Sequence, residues 1–123
     1  LGRGYYGQLG NLVLYPPWWL ARHADALEAA QAASPVPPTE DRIVLARIAA
    51  ILAFDRSAEV ERIAHRTLVS AARDDTVTPS YFSEDLARRI PDARLSLMPT
   101  GGHFYNHCFQ AEFERLVAGF LLA

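Results

Sequence analysis

Two stretches decide how this chain folds: Thr67-Leu-Val-Ser-Ala-Ala72, leading into Arg73-Asp-Asp-Thr-Val-Thr78, and Arg94-Leu-Ser-Leu-Met98, leading into Pro99-Thr-Gly-Gly-His103. The first opens with a short, largely apolar run that has β-branched residues and no polar alternation, the pattern of a parallel strand covered on both faces. The second opens with another short strand. Between them Pro79 stands at a helix start, and Phe82, Leu86 and Ile90 follow at i, i+4 and i+8. That spacing turns one helical face toward a core, and Pro91 halts the helix. Strand, helix and strand within about 30 residues make a βαβ unit with parallel strands and a right-handed crossover, so the expected class is α/β.

Both polar loops follow directly on a strand. In open α/β sheets ligands bind beyond the carboxyl ends of the strands, so the two loops face one crevice. Adjacent parallel strands lie about 5 Å apart, which brings an Asp of the first loop and His103 of the second within reach of one hydrogen bond. A carboxylate so placed fixes the imidazole tautomer and stabilises the imidazolium formed when the His takes a proton. Gly101 and Gly102 allow a sharp turn just before His103. Taken singly, Asp-Asp before a helix is a solvated or capping pair and Gly-Gly-His a turn. Their occurrence on two successive strand ends gives them chemical meaning.

Outward from this unit the chain reads as helical. Residues 1–66 are helices separated by proline breaks: Pro17-Trp-Trp-Leu20 opens an Ala-rich helix running to Ala33, and Ser34-Pro-Val-Pro-Pro38 ends it. Thr39 is the expected N-cap of a helix whose Ile43, Leu45, Ile48, Ile51 and Leu52 form a broad apolar face. A short turn around Ser57 to Ile63 follows. The last helix carries Phe113, Leu116, Val117, Phe120 and Leu121 on one face.

Composition narrows the function. In 123 residues, half of them hydrophobic, all 12 basic residues are Arg, which removes Schiff-base and P-loop lysine chemistry from this chain. They are spread among 14 acids with a net charge of −2, so no nucleic-acid or anionic-membrane partner is expected. No apolar run approaches the ~20 residues of a membrane span. A single cysteine, Cys108, cannot form an internal disulfide, and a reduced, cytoplasmic setting is the expectation. The chain starts at Leu1 without an initiator Met and is expected to be a piece of a longer product.

The small residue Ala72, two variable positions and Asp75, with Pro79 four positions on, then Met98-Pro-Thr-Gly-Gly-His103 and the closing helix, resemble the carboxyl-terminal third of an α/β-hydrolase. The resemblance implies that Asp75 is the triad acid, His103 the triad base and Asp74 a neighbour; because only one carboxylate can orient the imidazole, Asp74→Asn is expected to change turnover little. Ala72 stands where that family often has Gly. Leu12-Val-Leu-Tyr-Pro-Pro-Trp-Trp-Leu-Ala21, Phe54-Asp55 and Met98 to Asn106 extend the resemblance to the pyrimidine-utilisation D family of aminoacrylate or carbamate hydrolases. It implies a helical cap over residues 1–66 and a β-α-β-α part of the hydrolase core over 67–123. It also implies hydrolysis of a small polar substrate, 3-aminoacrylate or carbamate, without a cofactor. An ester or enol-lactone hydrolase of the same fold is the alternative, as is a non-catalytic fragment or dimerisation module.

No Gly-x-Ser-x-Gly occurs, so the nucleophile elbow is not in this chain, and Ser, Asp and activated water all remain open. The chain alone is expected to be inactive and to associate, its sheet completed by a missing amino-terminal half or by a second copy. Trp18, Trp19 and Phe104 are candidate substrate contacts, with packing of the helical segment as the competing role of the two tryptophans. Gly2-x-Gly4-x-x-Gly7 spells a dinucleotide fingerprint but lacks a preceding strand. His103-x-x-x-His107 with Asp75 has metal-ligand residue types, yet Gly-Gly ahead of it argues against a regular helix there, and no metal is expected. Cys108 reads as a buried, inert thiol.

Overall fold

The computed structural model describes residues 3–33 and 40–123, and side chains from residue 9 onward. Its elements in chain order are α1 (Arg3–Leu14), α2 (Pro17–Ala33), α3 (Asp41–Ala53), a 3₁₀ turn (Ser57–Arg62), β1 (Thr67–Ala72), α4 (Ser80–Arg89), β2 (Ala93–Met98), α5 (Tyr105–Cys108) and α6 (Gln110–Leu121).

The sheet is the parallel pair expected, in the register Thr67↔Ala93 through Ala72↔Met98. It is extended at both ends by Thr67 N–H to the Asp92 carbonyl (2.8 Å) and Arg73 N–H to the Met98 carbonyl (2.9 Å). Val69 and Ala71 are buried on one face of β1 and Ala72 on the other, where Leu68 is only half-buried. Coverage of both faces is thus complete only at the carboxyl end of the strand, beside the loops. Pro79 caps α4 by accepting from Phe82 N–H (3.0 Å), and α4 ends at Arg89, with Ile90 as its C-cap before Pro91. Of the three α4 residues expected to face the core only Ile90 is buried. Phe82 and Leu86 are 55% and 38% exposed, because two strands are too narrow a sheet to cover the whole helix.

The helical reading of residues 1–66 holds, with corrections. α1 was not foreseen: its glycines each weaken a helix by about 1 kcal/mol relative to Ala, yet it runs to Leu14 and Tyr15 N–H still reaches the Asn11 carbonyl (3.0 Å). The Gly2-x-Gly4-x-x-Gly7 spelling therefore falls largely on a helix, with Gly2 itself outside the described residues. The Pro16 carbonyl, accepting from Trp19 and Leu20 N–H (3.0 and 3.1 Å), starts α2 at Pro17 as expected. The Ser34–Pro38 break and Thr39 lie outside the described residues. α3 takes Glu40 as its N-cap, whose carbonyl receives Ile43 N–H (2.9 Å). The apolar side chains of α3 are open to solvent: Leu45, Ile48, Ile51 and Leu52 are 47–81% exposed. In α6, Phe113, Leu116, Val117 and Phe120 are half-buried and Leu121 is exposed. Among the described residues no helix is long and apolar enough to cross a membrane.

Candidate active site

The carboxyl ends of β1 and β2 lie side by side because their last residues, Ala72 and Met98, are register partners. Three residues past β1, Asp75 is turned back on its own loop: its Oδ1 accepts from Val77 and Thr78 N–H (2.8 and 2.9 Å) and its Oδ2 from the Thr78 hydroxyl (2.7 Å). This is the side-chain-closed turn that Asp forms when it precedes a helix. The second contact of Oδ2 is His103 Nδ1, at 3.0 Å. Thr78 Oγ1 lies 3.3 Å from the same nitrogen. The Asp75 side chain is 5% exposed and that of His103 is 30% exposed. Burial pushes the Asp75 carboxyl up, but the bonds from Thr78, His103 and Val77 outweigh it and hold the group below the usual carboxylate range. An ionised Asp75 can only accept, so Nδ1 of His103 carries the proton and the lone pair sits on Nε2.

His103 enters from a strained turn. Gly101 and Gly102 have φ of 135° and 62°, left-handed values that favour glycine. A Cβ on Gly101 would fall 2.5 Å from the Tyr105 Cβ, and one on Gly102 2.9 Å from the Leu14 carbonyl oxygen. The turn is followed by α5, a single helical turn whose amides close on Phe104 (His107 N–H, 2.8 Å); His103 precedes it, so the two histidines do not share a regular helix.

The carboxyl end of α1 lies against both loops, with the Leu14 carbonyl accepting from Phe104 N–H (3.0 Å) and the Val13 carbonyl from the Thr76 hydroxyl (3.4 Å). Of the three candidate substrate contacts, Trp19 is buried, stacked between Tyr15 (4.4 Å) and His23 (4.0 Å). Phe104 meets Tyr15 edge-on at 5.3 Å and lies 5.7 Å from the His103 ring. Trp18 is 36% exposed and donates its indole N–H to Thr100 Oγ1 (3.1 Å). His107, the second histidine of the metal-like spacing, is held through Nδ1 by the Tyr15 hydroxyl (2.9 Å). Among the described residues no group of three His, Cys, Asp or Glu is placed to hold a metal. Burial, with the charge of Asp74, pushes the Cys108 thiol up to about 11, so it is protonated at neutral pH.

Sequence reasoning missed Thr78 and Tyr15. The Asp-x-x-Thr spacing is a signal that could have found the first, whereas nothing local marks Tyr15. It also took Asp74 for a bystander, although Asp74 accepts three hydrogen bonds from the neighbouring loop. A cavity of about 260 Å³ lies elsewhere, between α1 and α2, lined by Asn11, Leu12, Leu20, Ala24, Glu28 and Gln31.

The fold of the chain is matched by solved structures. A hydrolase from Pseudomonas aeruginosa PA01 superposes on 98% of the chain at a TM-score of 0.77 and 34% identity. MGS-M2, an α/β-hydrolase from a deep-sea metagenome library, superposes on 98% at 0.81 and 23% identity, a likeness of fold alone. The chain has the fold of the carboxyl-terminal part of an α/β-hydrolase. In sequence it is 38% identical over 112 residues, 89% of its length, to a protein of Caulobacter vibrioides that bears the provisional name carbamate hydrolase RutD. No protein-family model matches it. The chain spans under half the length of these relatives: 43% and 45% of the two solved chains and 41% of the Caulobacter protein.

Proposed function

We propose that this chain supplies the acid-base half of a hydrolase site for a small polar substrate of the carbamate or 3-aminoacrylate kind. The observation that carries the proposal is the 3.0 Å contact between His103 Nδ1 and Asp75 Oδ2 at the ends of two parallel strands, which leaves Nε2 as the basic nitrogen. In this reading Nε2 takes a proton from the attacking oxygen, Asp75 stabilises the resulting imidazolium, and the proton passes to the leaving nitrogen. With carbamate, water adds to the carbonyl carbon, the C–N bond breaks, and bicarbonate and ammonia leave. With 3-aminoacrylate, water adds to the imine tautomer and the carbinolamine collapses to an aldehyde and ammonia. The names of the relatives support the nitrogen leaving group.

The attacking group and the remaining strands come from outside the described residues. We propose an amino-terminal half like that of the relatives as the partner that completes the sheet, with a second copy of this chain as the other possible source. Trp18 and Phe104, the more accessible of the aromatic candidates, would then line the substrate side of the crevice. The test is ammonium release from carbamate, and from 3-aminoacrylate generated in the assay, by the sheet-complete protein and its His103→Ala variant. Release that depends on His103 is expected. Hydrolysis of p-nitrophenyl acetate without ammonium release would assign the site to esters or enol-lactones, and no hydrolysis at all would make the chain a binding or dimerisation module.

A further inference from the structure

We infer that Asp74 is a positioning residue for His103: it holds the Thr100-Gly101-Gly102 turn that aims the imidazole, and Thr100 with Trp18 ties this turn to α2. The inference rests on the proposed role of His103 as base.

Asp74 and Asp75 are adjacent, yet their carboxylates do different work. Asp75 closes its own loop and meets the imidazole. Asp74 makes no hydrogen bond to His103 and reaches across to the second loop, where its Oδ1 accepts from Gly102 N–H (2.9 Å) and its Oδ2 from Gly101 N–H (3.2 Å) and from the Thr100 hydroxyl (2.5 Å). Two successive amides at positive φ converging on one carboxylate form a nest, a concavity that binds anions. Both glycines are buried, so without the carboxylate their N–H groups would lose their partner in a place water reaches poorly. The other edge of the Gly101 peptide is held as well, because the Cys108 thiol donates to the Gly101 carbonyl (3.4 Å). The backbone entering His103 is therefore fixed from two sides, one of them Asp74.

The hydroxyl of Thr100 donates to Asp74 and so is free to accept from Trp18, which extends the chain of bonds to the helical segment. An Asn at position 74 has one accepting oxygen, and its NH₂ group would face either Gly102 N–H or, flipped, Gly101 N–H and the Thr100 hydroxyl, so it keeps at most part of the nest. This departs from the expectation that Asp74→Asn changes little. Burial pushes the Asp74 carboxyl up, and the bonds from Thr100, Gly102 and Gly101 outweigh it and hold the group below the usual carboxylate range.

The experiment compares Asp74→Asn, Thr100→Val and Thr100→Ser in the sheet-complete protein. Turnover is read as ammonium release from carbamate, and the downfield proton NMR signal of the His103 Nδ1–H, identified by its loss in His103→Ala, reports the bond to Asp75. Asp74→Asn is expected to lower kcat about tenfold to a hundredfold, the loss associated with slight misplacement of a catalytic group. KM should change far less, and the His103 signal should broaden or shift. Thr100→Val should do the same more weakly and Thr100→Ser should restore both readouts. Unchanged kcat and signal in Asp74→Asn, or a fall in kcat with an unchanged His103 signal, would overturn the inference. Should Asp74→Asn not fold, the Thr100→Val and Thr100→Ser pair decides by the same two readouts. Should the protein not release ammonium at all, the proposed function fails while the NMR signal still decides the role of Asp74.

Discussion

The two strand-end loops and α3 are built on opposite principles. In the loops the two carboxylates are answered within a few residues of sequence or across one strand pair: Asp75 takes bonds from Val77, Thr78 and His103, and Asp74 takes them from Thr100, Gly101 and Gly102. α3 has a clear apolar face and no buried residue, with Ile51 and Leu52 at 73% and 81% exposure. The loops are thus complete as local structure, whereas α3 is a surface whose purpose lies in what it meets. Helices within proteins owe most of their stability to such packing. A chain can therefore hold a precise acid-base pair and still leave much of its hydrophobic face unsatisfied.

Removing the centre of the ordered region should have the largest effect. His103→Ala is expected to lower turnover of the sheet-complete protein by at least about a hundredfold, the usual size of a general acid-base contribution. Asp75→Asn should lower it by a comparable factor through loss of the fixed tautomer. His107→Ala serves as the control, and a larger loss there than at His103, read in the same steady-state assay, would reverse the assignment of the base.

The backbone under the pair is the next target. Gly101→Ala sets a Cβ 2.5 Å from the Tyr105 Cβ, a contact side chains cannot relieve without moving α5, and the residue must also adopt φ 135°. A loss of about 1–3 kcal/mol is expected for backbone strain of this kind. Denaturant unfolding of Gly101→Ala and Gly102→Ala checks it, and a wild-type midpoint in both would show that the turn is looser than its geometry implies.

Acid should separate the two regions further. The Asp75 carboxyl is raised by burial and lowered more by its hydrogen bonds, so its folded-state pKa lies below the value of about 3.9 in an unfolded chain. As pH falls, the unfolded chain takes up the proton first. The stability that Asp75 contributes is therefore fully present above about pH 4 and is lost as pH drops through the folded value. Thermal melts of wild type should fall away below that pH, and Asp75→Asn should show a shallower acid limb. Parallel acid limbs in the two proteins would mean that the carboxylate is not held as the hydrogen bonds indicate.

What could be read from sequence follows the same division. β1 spans the six residues its apolar run marks, and β2 starts one residue before Arg94. Both are legible because a short apolar run between turn residues has few alternatives. That an Asp of the first loop meets His103 was legible from two loops on neighbouring strand ends, while the choice of Asp75 over Asp74 came from the family resemblance. α1 was not, because glycine hides helical periodicity and the helix is supported by tertiary neighbours rather than propensity. Tyr15 was not, because its bond to His107 joins residues 92 apart in sequence. In α4 the spacing marked Phe82, Leu86 and Ile90 as inward, yet only Ile90 is buried, because burial depends on the width of the sheet, which no local pattern encodes.

The smallest effect on the isolated chain is expected at α3, and its smallness is the informative part. A residue at 73–81% exposure has little apolar area left to lose to water, so Ile51→Gln and Leu52→Gln together should change unfolding stability by no more than the roughly 0.5 kcal/mol typical of surface substitutions. Gln also keeps good helix propensity, which leaves α3 itself intact. The consequence should appear instead in association. An exposed run of Leu45, Ile48, Ile51 and Leu52 on one helix is a contiguous apolar patch, and such patches drive proteins together. Light scattering of wild type over a concentration series should show mass rising above 13.7 kDa, with the double variant shifted toward the monomer. A double variant that unfolds several kcal/mol more easily would mean that α3 is already packed within the free chain. One that associates as strongly as wild type would move the association surface to the open sheet, where unpaired strand edges offer the competing route.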